Sequence, residues 1–163
     1  IGTIERGQAN QNIAFARGVL DVGKPMAVPV IRQLKKRATA EKDQVVIRDA
    51  PPGTSCPVVE TVRGSNYLLL VTEPTPFGLH DLRLAAQVAA ELGIPAGVII
   101  NRENGSYPAM DAFCQEANLP VLMRIPYERT IAEGVAQGKA LIDIHPEYAG
   151  QFRQLFEQIG SQR

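Results

Sequence analysis

Asp49 and Gly53 are the residues whose types and spacing come nearest to a definite chemistry. Asp49 follows a short apolar run, Val45-Val46-Ile47, and leads into Pro51-Pro52-Gly53-Thr54-Ser55-Cys56-Pro57. An acid at the carboxyl end of a buried strand can hold a water of a Mg²⁺ ion. A glycine shortly after it leaves its N–H open to a phosphate oxygen, because no side chain intervenes. Ligands of open α/β sheets gather along that carboxyl edge. The plainer alternative is a βα connection rich in Pro and Gly. Cys56 stands at the start of the next helical pattern, where a thiolate is favoured and useful for ligation or redox. The alternative there is a small, half-buried residue before Pro57. Cys114 falls on an apolar helix face, where packing is the expected role. His80 and His145 have no metal-ligand spacing, and surface or capping roles are expected. Glu73 and Asp81 are polar groups near the same edge, but no reaction follows from them.

The elements that would position these residues alternate regularly. Apolar runs at 45–47, 67–71, 96–100 and 120–125 each end in turn residues, which is the pattern of strands buried on both faces. Helical patterns lie between and after them, at 57–63, 79–92, 107–117, 129–137 and 147–159. Gly93 and Gly138 supply helix stops. The alternation predicts an α/β fold with a mostly parallel sheet covered by helices. The first part of the chain differs. Residues 1–24 read as two extended segments, 3–5 and 13–19, antiparallel at a sheet edge, with 25–163 as βα repeats. Residues 25–36 read as a helix with Val28, Ile31 and Leu34 inward. Arg32, Lys35, Lys36 and Arg37 are expected outward at a solvated helix end.

The 163 residues suffice for a single domain. Seventeen basic and seventeen acidic residues balance to zero net charge, which argues against a nucleic-acid binder working by bulk electrostatics. No run approaches a membrane span and no signal peptide is visible. Two cysteines are too few for a disulfide framework, so the expected setting is cytoplasmic.

The segment 49–57 resembles the switch II region of MinD/ParA-type P-loop ATPases, and more narrowly the subgroup with an inserted ferredoxin domain. Val71-Thr72-Glu73-Pro74-Thr75-Pro76-Phe77-Gly78, Gly97-Val98-Ile99-Ile100-Asn101-Arg102 and Ile125-Pro126-Tyr127 follow in the same order and spacing. Gly18-Val19-Leu20-Asp21-Val22-Gly23-Lys24-Pro25 resembles the stretch after the insertion. The resemblance covers nearly the whole chain. The family's P-loop is absent, since no Gly-Lys-Ser/Thr occurs, and so are the ferredoxin Cys clusters. The chain therefore resembles the C-terminal portion of such an ATPase, inactive by itself.

The resemblance implies roles for particular residues. Asp49, through water, and Gly53 would sense Mg²⁺ and the γ-phosphate. Asn101, Arg102 and Pro126 would bind the adenine, Asn101 by offering a donor and an acceptor to its edge. The alternative for Asn101 is a cap on the turn before Gly105. Cys56 would be a cluster ligand, as in the nitrogenase iron protein. ATP and Mg²⁺ would act in the complete protein, as a homodimer linked to iron–sulfur handling or ATP-gated electron transfer. This chain alone would need no cofactor. The competing reading is a non-catalytic α/β module that binds a partner or a flavin-like ligand. The resemblance also implies that the central P-loop strand is missing, between 45–49 and 67–71. Direct pairing of those two strands, or filling from another subunit, is the expected closure.

Overall fold

The computed structural model describes residues 1–39 and 44–161. The chain divides into two compact units, Ile1–Gly64 and Ser65–Arg163.

In the first unit, β1 (Gly2–Asn10) and β2 (Ile13–Leu20) form an antiparallel hairpin. The Asn12 N–H donates to Asn10 Oδ1 at 2.9 Å in the turn. Both strands are longer than the expected segments, and they pair with each other in a sheet of their own rather than edging the parallel one. The ten-residue helix α1 (Val28–Arg37) packs on one face of the hairpin. A Cβ on Gly18 would lie 2.7 Å from a Val30 methyl, so glycine permits this close approach. The seven-residue helix α2 (Cys56–Val62) starts with Pro57 in its first turn, as expected. Lys35 is not a solvated end. Its ammonium donates to Arg63 O at 2.8 Å and to Glu60 O, capping α2, while Arg32 pairs with Glu60 at 3.2 Å. Burial, then the neighbouring Arg48 charge, pushes the Lys35 pKa down.

The expected strand over 45–49 does not form. Residues 44–51 have no regular structure, and Val45, Val46 and Ile47 are exposed, Ile47 at 91%. A doubly buried parallel strand draws its stability from a ladder on each side, and among the described residues the run has none. Direct closure of the sheet is therefore not observed either.

The second unit holds the parallel sheet, in the order β3 (Leu68–Thr72), β4 (Ala96–Glu103), β5 (Val121–Pro126). Its helices are α3 (Pro76–Glu91), α4 (Pro108–Glu116), α5 (Arg129–Ala136), α6 (Leu141–Ile144) and α7 (Tyr148–Gly160). The four-residue α6 is too short to show a helical period in the sequence. β4 is central and buried from Gly97 to Ile100. Val98 and Ile100 join Leu79, Leu82, Met110 and Cys114 in one core layer. Ile99 turns to the opposite face and joins Met123 and Leu155. These alternating directions are the period-2 pattern of a strand covered on both sides. α7 packs on β5, while on β3 Leu69 and Val71 stay 42% and 62% exposed. Among the described residues β3 pairs with β4 alone, leaving its other edge open.

Cys56 is exposed and Cys114 is buried, and burial pushes the Cys114 thiol up, with a contribution from Asp111. A thiol reagent such as DTNB is expected to react at once with one cysteine, Cys56, in the native chain and with both only after denaturation. Two fast thiols would mean that the α4 layer is not closed. No helix among the described residues is long and apolar enough to cross a membrane.

Candidate functional site

The carboxyl edge of the parallel sheet collects residues from three strand ends. β3 ends at Thr72 and leads into Glu73, Pro74 and Thr75. Thr75 caps α3, its Oγ1 accepting from the Gly78 N–H at 3.0 Å, with Pro76 at the first helical turn. Thr72 Oγ1 donates to Gly78 O at 2.9 Å. These bonds tie the strand end to the helix start and set the position of Glu73.

β4 does not stop at Ile100, where its apolar run ends. It continues to Glu103 through a bulge. Ile100 is opposite Arg124, and Glu103 is opposite Pro126, so Asn101 and Arg102 together face Ile125 alone. Arg102 sits at φ 53, in the left-handed region that a long side chain seldom adopts. Bulges of this kind bend a strand and re-aim its side chains. After the bulge the ladder resumes, the Tyr127 N–H donating to Glu103 O at 2.9 Å. Pro126 has no N–H to offer there.

The re-aimed Arg102 guanidinium reaches Glu73 at 3.2 Å and lies 6.0 Å from the centre of the Tyr127 ring. Asn101 is half-buried, and its amide has no hydrogen bond with the described residues. Arg124, on β5, forks across two carboxylates, pairing with Asp111 at 2.5 Å and with Glu103. The hydrogen bond that Arg124 donates to Asp111, then the one it donates to Glu103, raises its pKa, so the guanidinium stays charged.

Asn101, Arg102 and Pro126 are thus brought to one edge of the second unit. Sequence reasoning named Tyr127 only as part of the 125–127 segment and Arg124 only within an apolar run, and treated Glu73 as a polar group without a role. Asp49, Gly53 and Cys56 belong to the first unit. Asp49 is exposed in the segment without regular structure, and Gly53 adopts φ 90 in a bend. No group of three His, Cys, Asp or Glu among the described residues could hold a metal ion. The described residues by themselves do not assemble the several thiolate or imidazole ligands that an iron–sulfur cluster needs.

The edge can present a half-buried amide, a guanidinium and an aromatic face to a planar heterocycle with paired donors and acceptors. It is an open shelf. Hollows of about 380 and 630 Å³ lie elsewhere, and neither is lined by Asn101, Arg102 or Pro126.

The α/β fold, a three-stranded parallel sheet with helices, has a counterpart among solved structures. The crystal structure of the Pyrococcus furiosus cell division ATPase MinD matches with a TM-score of 0.62 and 24% identity, over 82% of this chain and 58% of that one. No family model matches the chain. Three proteins of Methanocaldococcus jannaschii are similar in sequence. Two are uncharacterized: one is 29% identical over 78% of this chain and 46% of its own length, the other 23% identical over 87% and 49%. The third, an uncharacterized ATP-binding protein, is 27% identical over 80% of this chain and 51% of its own. The chain spans about half the length of the curated relatives it matches.

Proposed function

We propose that this chain is the carboxyl-terminal portion of a MinD/ParA-type ATPase and carries the shelf for the nucleotide base. The β4 bulge carries this reading. It sets a free Asn101 amide at the carboxyl edge of a parallel sheet, where adenine's neighbouring donor and acceptor would meet a matching pair. Arg102 and Pro126 would flank the base. The printed name of one relative, ATP-binding, and the likeness to MinD support the same class. The phosphate cradle would come from polypeptide beyond this chain, which has no Gly-Lys-Ser/Thr of its own. In that longer protein Asp49 and Gly53 would face Mg²⁺ and the γ-phosphate, and the open edge of β3 would be paired. A homodimer, and the ferredoxin-inserted subgroup with its iron–sulfur role, belong to the same proposal. Any cluster would be held chiefly by residues outside this chain.

The test is binding of adenosine and Mg·ATP to the 163-residue chain by NMR titration. Both are expected to bind only in about the millimolar range, because an open base shelf without a phosphate cradle forgoes most of the contact energy. Shifts should centre on Asn101, Arg102 and Tyr127. Asn101→Ala should remove the preference for adenosine over uridine, about a tenfold effect for one bidentate pair. Micromolar Mg·ATP binding would contradict the need for an outside cradle. Shifts elsewhere in the chain would remove the base-shelf reading.

A further inference from the structure

A left-handed arginine is costly, because its Cβ crowds the following carbonyl oxygen. Asn118, the other non-glycine residue with positive φ, is of a type that tolerates it. Arg102 is not, so its surroundings must impose the conformation. Its own side-chain partner is the Glu73 carboxylate, and that pair is well exposed on both sides. Exposed pairs of this kind contribute little, so Glu73 is a weak anchor.

A second constraint lies one residue further on, on side chains 25–40% exposed, less than the 45–58% of the Arg102–Glu73 pair, and backed by a backbone hydrogen bond. Glu103 is held from two directions. Its carbonyl accepts from the Tyr127 N–H, and its carboxylate takes one arm of the Arg124 guanidinium. The second arm goes to Asp111, in the first turn of α4. Arg124 thereby ties three pieces together: β5, the end of β4 beyond the bulge, and the start of α4. Its Cα partner across the ladder is Ile100, the last residue before the bulge. The fork therefore spans the two misaligned residues from one side to the other. The planar guanidinium serves the two carboxylates from two separate nitrogens, whereas an ammonium would have to reach both from one nitrogen.

We propose that Arg124 is a positioning residue for the base shelf: its fork across Glu103 and Asp111 holds the β4 bulge that turns Asn101 and Arg102 to the sheet edge. The function of the shelf rests on the reading above, but the control of the bulge does not. Releasing the fork lets Arg102 relax to negative φ, which withdraws the Asn101 amide from the position where a base edge meets it. Mispositioning of this size costs affinity well beyond the worth of the pair itself.

The test compares the 163-residue chain with Arg124→Lys and Arg124→Gln. The backbone coupling and carbon shifts at Arg102 report φ without any ligand. Both variants are expected to lose the left-handed signature while Val98 and Met110 keep their native methyl shifts. Adenosine affinity should fall about tenfold in both, because lysine restores the charge and not the fork. If the Arg124 variants unfold, Asp111→Asn removes one arm from the first turn of α4 and is read in the same way. A left-handed Arg102 persisting in these variants overturns the proposal. If wild type itself shows no adenosine shifts at Asn101, the base-shelf reading fails, and the coupling at Arg102 still decides the role of Arg124.

Discussion

Ile100→Ala is expected to destabilise the second unit by about 3–4 kcal/mol, the range for truncating a closely packed core residue. Ile100 is 1% exposed and sits between α3 and α4 in the layer built by Val98, Leu82 and Met110. Truncation leaves a cavity because its neighbours belong to three separate elements and cannot all move inward. The matched experiment is Ile47→Ala, the same substitution in a run of similar sequence character. At 91% exposure, with no ladder, it is expected to cost less than about 0.5 kcal/mol. Urea unfolding of the two variants checks both values. An equal loss in both would mean that 45–47 is buried in solution, as the sequence pattern suggests. In a longer protein that pairs this run, Ile47→Ala should become as costly as Ile100→Ala.

Gly78→Ala is expected to lose about 2–3 kcal/mol, against the gain of up to ~1 kcal/mol that alanine brings to a helix. The added Cβ would lie 2.1 Å from the Glu73 carbonyl oxygen and 2.9 Å from Thr72 Oγ1. The nearer atom is backbone, so no rotamer change relieves the clash. The start of α3 has to move away from the end of β3, breaking the bonds from Thr72 and to Thr75. Glu73 moves with it, and Arg102 loses its carboxylate partner. Thermal unfolding with NMR of Arg102 checks both consequences. A variant as stable as wild type would show that the strand–helix junction is looser than its geometry implies.

The α/β class, the parallel strands and four of the helices in the second unit were legible from local pattern. Val98, Ile99 and Ile100 read as a doubly buried strand because every residue in the run is apolar. Phe152, Leu155, Phe156 and Ile159 read as a helix because they recur at helical spacing. The start of α3 was misplaced by three residues. The apolar period begins at Leu79, but the cap at Thr75 and the ring of Pro76 set the first turn. Asn101, Arg102 and Pro126 were found by resemblance to a family, not by any periodicity.

Local pattern reports only which faces of an element can be buried. Whether an element forms depends on partners far along the chain. Val45-Val46-Ile47 has the composition of a central strand, yet it stays exposed because no ladder flanks it. The bulge at Asn101–Arg102 leaves no trace in hydrophobicity, since it arises where the β4 and β5 ladders fall out of step. Arg124 reads in the sequence as one polar residue in an apolar run. Its role appears only when β5 is laid beside β4 and α4, which brings Glu103 and Asp111 within reach of one guanidinium. The sequence by itself determined the order of elements and the faces they bury, because those follow from side-chain polarity at fixed periods. Tertiary structure decided the register and the bulge, because hydrogen bonds between distant strands set them.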